Sequence, residues 1–367
     1  LVCEATLVRR ASIDIEVEAA VARAGQGPEH GAMRATILTA FALCAATWVG
    51  CPTPDDVLED AGLDAGTAED APEDAGRDAP WPPDAGYDSG ASCSHDGDVD
   101  GGAIVACNGR PKLCDRRYDE VAIVMTHNAM SSEEEGWISP NQHRRLWRQL
   151  EDGVRGFMLD VYVDRGVVSL CHGLCALGRR PLADALRDLR VFLDCHPHEV
   201  VTIVLEAHAT QAEVASGFAE SGLDRHVFTP EVAPGPGVLW PTLREMITSG
   251  ERVVVFTDDA ARTTPWQLHS YDWAWENPYA ARTPADLSCD EDRGSRDRSL
   301  WIFNHFLTAP LASPSLADMI NHDPFFTERV AGCRAEAGGD LPNFVTVDFY
   351  DLGDVFAVVD ALNGVAP

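Results

Sequence analysis

Positive charge is scarce in this chain. Its 367 residues carry 28 Lys and Arg against 59 Asp and Glu, a formal net charge of -31. Phosphate backbones attract basic surfaces, so this balance excludes nucleic acid as a partner. No two cysteines have CxxC spacing, and Cys171 and Cys175 are too isolated to read as a zinc site. No GxGxxG follows a strand-like run, which counts against a dinucleotide site. The apolar run 35–50 is too short for a membrane-crossing helix, which needs about 20 residues. What is present is an ordinary hydrophobic fraction, 45%. That is enough for a large core. The length suits one barrel with extras or two average domains.

Met33-Arg34, the apolar run and Cys51 together read as an export signal over 33–51. Val49-Gly50-Cys51 resembles the end of a bacterial lipobox, with Trp48 departing from the usual aliphatic residue. The expectation is an exported protein, secreted or held at the cell envelope and membrane through a lipidated Cys51. Residues 1–32 precede Met33 and read as an over-extended N-terminus. Residues 52–92 hold twelve Asp or Glu and one Arg, with Asp-Ala-Gly recurring at 60–62, 64–66, 74–76 and 84–86. Such a segment buries little and repels itself, so a disordered acidic tether is expected. The folded domain then spans 93–367. It holds eight of the eleven cysteines, an even set that suggests disulfides of open connectivity.

Within that domain strand-like and helix-like stretches alternate. Strands are expected at 121–127, 156–163, 167–172, 200–208, 252–258, 300–306 and 344–350. Helices are expected at 141–152, 182–195, 211–221, 242–249 and 354–362. Near-continuous apolar strands alternating with helices indicate a buried parallel sheet. Seven strands and one unseen strand make a TIM-like (β/α)8 barrel; a doubly wound sheet is the alternative. Catalytic residues of barrels sit at the C-terminal ends of strands. His127, Asp160, His172, Glu206 with His208, and Asp348 all stand at such ends. Side chains two apart share a strand face, so Met158, Asp160 and Tyr162 point one way, as do Glu206 and His208. Two histidines facing one phosphate can act as base and acid, with a carboxylate, here Asp348, fixing the tautomer of the base.

Thr-His-Asn at 126–128, Gln-Leu-Glu-Asp-Gly-Val-Arg-Gly at 149–156, Leu-Asp at 159–160, Cys-His-Gly at 171–173 and Pro-His-Glu-Val-Val-Thr-Ile-Val-Leu-Glu at 197–206 resemble the X domain of phosphatidylinositol-specific phospholipase C. Trp240-Pro241-Thr242-Leu243, the run 252–257 and the late run 343–351 extend the likeness over roughly 115–365. The resemblance implies a barrel that is often incompletely closed. It also implies cleavage of a phosphodiester by a neighbouring hydroxyl, with His127 on the base side, His172 on the acid side and Asp348 paired with His127. Asn128, Asp160 and Glu206 match the oxygen ligands of calcium-dependent members, so a divalent metal is expected, Ca2+ before Mg2+. Met158 stands where those members carry Glu, and Arg155 has the wrong strand parity to replace the metal. His305 and the aromatics Trp266, Tyr271, Trp273, Trp275 and Tyr279 are candidates for lining the mouth.

The substrate class is a phospholipid or another phosphodiester, and a monomer is expected. A glycerophosphodiester hydrolase and a catalytically idle ligand-binding barrel are the alternatives.

Overall fold

The computed structural model describes residues 103–365. The expected N-terminal extension, signal, lipidated Cys51, acidic tether and Cys93 lie outside the described residues.

Eight strands follow one hydrogen-bonded path in the order β7-β6-β5-β2-β1-β10-β9-β8. They are β1 (Ile123–Thr126), β2 (Gly156–Asp164), β5 (Val201–His208), β6 (Val253–Thr257), β7 (Gln267–His269), β8 (Ala274–Glu276), β9 (Leu300–His305) and β10 (Phe344–Val347). Every neighbouring pair on this path is parallel. No ladder joins β7 to β8, so the TIM-like α/β barrel has an open seam there. The helices are α1 (Leu146–Asp152), α2 (Leu182–Cys195), α3 (Gln211–Ser221), α4 (Leu243–Ser249), the single turn α5 (Ser270–Trp273), α6 (Pro314–Ile320), α7 (Phe325–Glu336) and α8 (Val355–Leu362). Thr210 and Thr242 cap α3 and α4 with full capping boxes, answered by Glu213 and Glu245.

The strand count differs from the expectation in its parts. Six of the seven expected strands form the barrel. The expected strand at 167–172 is β3 (Val167–Cys171), which leaves the barrel and folds back antiparallel on β2. A short β4 (Arg179–Pro181) pairs with it. The two remaining barrel strands, β7 and β8, are three residues each and were not expected.

Strand parity splits the core into two layers. Residues such as Val124, Phe157, Leu159, Ile203, Val255, Phe303 and Val345 pack outward against the helices. Met125, Met158, Val204, Val254, Phe256, Ile302 and Phe344 join a second cluster that fills the lower barrel. Met158, at the position where a metal-binding Glu was sought, is part of this apolar plug. An apolar plug below leaves only the upper inward positions for polar side chains.

Candidate active site

Five polar side chains of the site each stand two residues above an inward-facing strand position. His127 follows Met125, Asp160 follows Met158, Glu206 follows Val204, and Asp258 follows Phe256. Asp348 likewise follows Phe344 and Thr346 on β10. Alternation therefore carries all five into the barrel mouth.

Strands β1 and β10 break in the same way just past their catalytic residues. Asn128 and Phe349 both take positive φ, 45° and 46°. Asn enters the left-handed region readily; Phe there is strained and needs support. The loop after β1 provides it. Phe349 donates its N–H to the Asn141 carbonyl at 2.9 Å. Gln142 Nε2 donates to the carbonyls of His127 at 2.8 Å and Val347 at 3.2 Å.

His127 is held on three sides. Its Nδ1 lies 3.0 Å from Asp348 Oδ1. A carboxylate accepts only, so Nδ1 carries the hydrogen and Nε2 faces the mouth. Phe306 stacks on the ring at 3.9 Å between centroids. Asn141 Nδ2 donates to the same Asp348 oxygen at 3.0 Å. Asp348 is 3% exposed, and its backbone carbonyl accepts from Asn321 Nδ2 at 3.0 Å. Asn321 reaches this place because Gly353, at φ 84°, lets the chain pass close: a Cβ there would sit 2.2 Å from the Asn321 carbonyl oxygen. Gly353→Ala is therefore expected to cost about 2–4 kcal/mol of stability, through both steric clash and backbone strain. Urea denaturation measures it. A cost below about 1 kcal/mol would show that the Asn321 support yields freely.

His172 reaches the site from outside the barrel. It follows the last residue of β3, and the β2–β3 hairpin returns it toward Asp160. Asn128 stands between the two imidazoles, 3.1 Å from Nε2 of each. With Nδ1–H given to Asp348, the bare Nε2 of neutral His127 accepts from Asn128 Nδ2. The opposite amide orientation, oxygen to the two rings and nitrogen to Asp160 at 3.1 and 3.3 Å, belongs to the state with Nε2–H on both imidazoles. Burial, then positive charge on His127, pushes the His172 pKa down to about 4. An anionic phosphodiester between the rings opposes that shift and favours protonation of His172.

Carboxylates crowd the adjacent wall. Asp160 is in register with Glu206 across the β2–β5 ladder. Burial first, then the charges of Glu206 and Asp258, hold the Asp160 pKa well above the ordinary carboxylate range. Glu206 bonds His208 at 2.9 Å, which lowers the Glu206 pKa and raises that of His208. Tyr162 stacks on His208 at 4.2 Å. Among the described residues no group of three or more His, Cys, Asp and Glu is arranged around one metal position. Asp160 and Glu206 stand in register, and the Asn128 amide turns its oxygen toward Asp160 when its nitrogen faces the two imidazoles.

Of the other candidates, His305, Trp266, Trp273 and Trp275 fall elsewhere. His305 is fully buried, stacked on Phe326 at 3.8 Å, with Nε2 at the Ile320 carbonyl and Nδ1 at Arg329. Its strand parity follows outward-facing Phe303, so it meets the helices and not the mouth. Trp273 and Trp275 are core residues, against Trp240 and Trp301. Trp266 packs on Phe218. Tyr271 and Tyr279 flank Arg293, which pairs with Glu276. Arg155 pairs with Glu199 at 2.8 Å and lies over Phe192. Four features of the site were not anticipated: Asp258, Asn141, Phe306, and the Cys171–Cys175 disulfide that brackets His172. Asp258 alone had a readable signal, the polar end of an apolar strand. Cys107–Cys114 and Cys289–Cys333 are also bonded.

The family model of the PI-PLC X domain, "PI-PLC X 1", matches residues 113–363. This chain belongs to that family. A PI-PLC X domain-containing protein of Arabidopsis thaliana is 30% identical over 270 residues, covering 67% of this chain and 62% of that protein. PI-PLC X domain-containing protein 1 of Arthroderma benhamiae is 30% identical over 279 residues, covering 70% and 89%. An uncharacterized secreted protein of the same fungus is 28% identical, covering 71% and 64%. The chain thus spans less than two thirds of two of these three relatives. A solved mutant of phosphatidylinositol-specific phospholipase C from Staphylococcus aureus aligns with a TM-score of 0.46 at 14% identity, covering 69% of this chain and 94% of that one.

Proposed function

We propose that this PI-PLC X-domain chain is an exported phosphodiesterase that cleaves by attack of a neighbouring hydroxyl on phosphorus. One observation carries the reading: two histidines, one backed by a buried carboxylate, meet at a single amide. His127 Nε2 takes the proton of the attacking hydroxyl, and Asp348 steadies the resulting imidazolium. His172 gives a proton to the leaving oxygen. The products are a cyclic phosphate and a free alcohol, which for an inositol lipid is diacylglycerol.

A divalent cation, Ca2+ before Mg2+, belongs to the proposal. The residues present fit it. Asp160 and Glu206 face each other in register, and their mutual repulsion is what a cation relieves. Asp160, Glu206 and Asn128 would hold it, and when bound it would offset charge on the phosphate oxygens. A lipid substrate suits the rim. Ile138, Val163, Val167, Tyr279 and Leu311 are exposed on segments at the C-terminal ends of the strands. The disulfides and the secreted relative favour export, with anchoring through Cys51 as the proposed attachment.

Assays on phosphatidylinositol, glycerophosphodiesters and an aryl phosphodiester, with Ca2+ or EDTA, test the reading. Cyclic inositol phosphate is the expected product, and EDTA is expected to lower the rate at least about tenfold. Turnover of glycerophosphodiesters alone would move the assignment to that class. No turnover of any substrate would leave a ligand-binding barrel. Full activity in EDTA would remove the cation from the proposal.

A further inference from the structure

Among the site's histidines and carboxylates, His172 alone has no barrel strand beneath it. Strand β3 ends at Cys171, paired across to Arg179 of β4, and His172 opens the loop between them. That loop is sparsely packed where it matters. Gly173 is exposed at φ 68°, with no atom within 4 Å of where a Cβ would stand. The local backbone bonds are Leu174 N–H to the His172 carbonyl at 2.8 Å and Leu177 N–H to the Leu174 carbonyl at 2.9 Å. The far half of the loop is better anchored. Ile138 N–H donates to the Leu177 carbonyl at 2.8 Å, and Gly178 lies flat against the buried Trp137 ring. Only three residues separate Cys171 from Cys175, and the bond between them ties the anchored half back to the end of β3.

We propose that the Cys171–Cys175 disulfide is a positioning element for catalysis: it closes a five-residue ring around His172 and keeps the imidazole on Asn128, opposite His127. A ring of this size removes most of the backbone freedom of residues 172–174. Without it, the loop from His172 to Ala176 is held only at Cys171 and at Leu177, and the imidazole by a single side-chain hydrogen bond. Small displacements of a proton donor carry large rate penalties, about 100-fold for 1 Å. The proposal rests on the acid role of His172 in the preceding reading. Cys107–Cys114 lies in the apolar cluster of the lower barrel, away from the mouth, and serves as the control.

The test compares C171S/C175S with C107S/C114S and the unsubstituted full chain. Two inositol phosphodiesters are used, one with an alkyl and one with a 4-nitrophenyl leaving group. An alkoxide needs the proton from His172, and nitrophenolate does not. C171S/C175S is expected to lose about 30-fold or more in kcat on the alkyl ester. Its loss on the aryl ester is expected to stay under about threefold, with KM unchanged on both. C107S/C114S is expected to lose stability with no such selectivity. Equal losses on both esters, or none, overturn the proposal. If the unsubstituted chain turns over neither ester, the functional reading fails and the positional claim is decided by NMR. A His172 imidazole N–H resonance protected from exchange in the native protein and lost in C171S/C175S supports it. The same protection in both proteins overturns it.

Discussion

Replacing His127 with alanine is expected to lower phosphodiester cleavage by about 10^4-fold or more, for alkyl and aryl leaving groups alike. The expectation follows from where the ring sits. His127 is the base whose outward nitrogen is presented by Asp348, itself held by Asn141, at the ring's edge and by Phe306 on its face. Nucleophile activation is needed whatever leaves, so leaving-group chemistry should not rescue the variant. Asp348→Asn should behave as a milder version. It keeps the shape, removes the negative charge, and permits the wrong tautomer, with an expected loss of about 10^2 to 10^4. Steady-state kinetics on both esters decide the matter. A His127→Ala enzyme retaining a tenth of its rate would remove His127 from the base role.

His172→Ala is expected to divide the substrates. The alkyl ester should lose about 10^3-fold, and the aryl ester about tenfold or less, because nitrophenolate leaves without a proton. The variant also isolates a second effect. His172 is held neutral by burial and by positive charge on His127, with its pKa at about 4. Its folded-state pKa is thus below the ordinary 6.5, so the folded protein binds fewer protons than the unfolded chain between those values. The stability contribution is present above about pH 6.5 and is lost as pH falls toward 4. In His172→Ala that part of the acid destabilisation should disappear, and stability measured at pH 5 should approach the value at pH 7. Equal losses on both esters would place His172 in a structural role.

The sequence made the outline of this site readable for a physical reason. Apolar runs ending in single polar residues at His127, Asp160, Glu206 and Asp348 are what a barrel with an apolar floor and a polar mouth requires. Period-two parity puts Asp160 with Tyr162 on one strand face and Glu206 with His208 on another; the β2–β5 ladder then sets Asp160 against Glu206 and Tyr162 against His208. The same rule, applied to β9, places His305 on the outward face after Phe303, where it is a core residue. Strands β7 and β8 escaped notice because three residues give no periodicity. The strand character of 167–171 was plain, but nothing local distinguishes a barrel strand from one folding back antiparallel; only the pairing partner does. Asn141 and Phe306 act through contacts more than 150 residues apart in sequence, with Asp348 and His127 respectively, and no local pattern announces such contacts.

The gap between β7 and β8 leaves the sheet with exposed edges. A closed barrel has no sheet edges, whereas this one has two, and free edges invite a second chain to add a strand. The edges are kept unattractive. Each is only three residues long. On β8, Glu276 donates its N–H to the Arg293 carbonyl and accepts from the Asp292 N–H, both at 2.9 Å, so a stretch of the same chain occupies the edge. The barrel thereby keeps an opening in its wall without offering a template for aggregation.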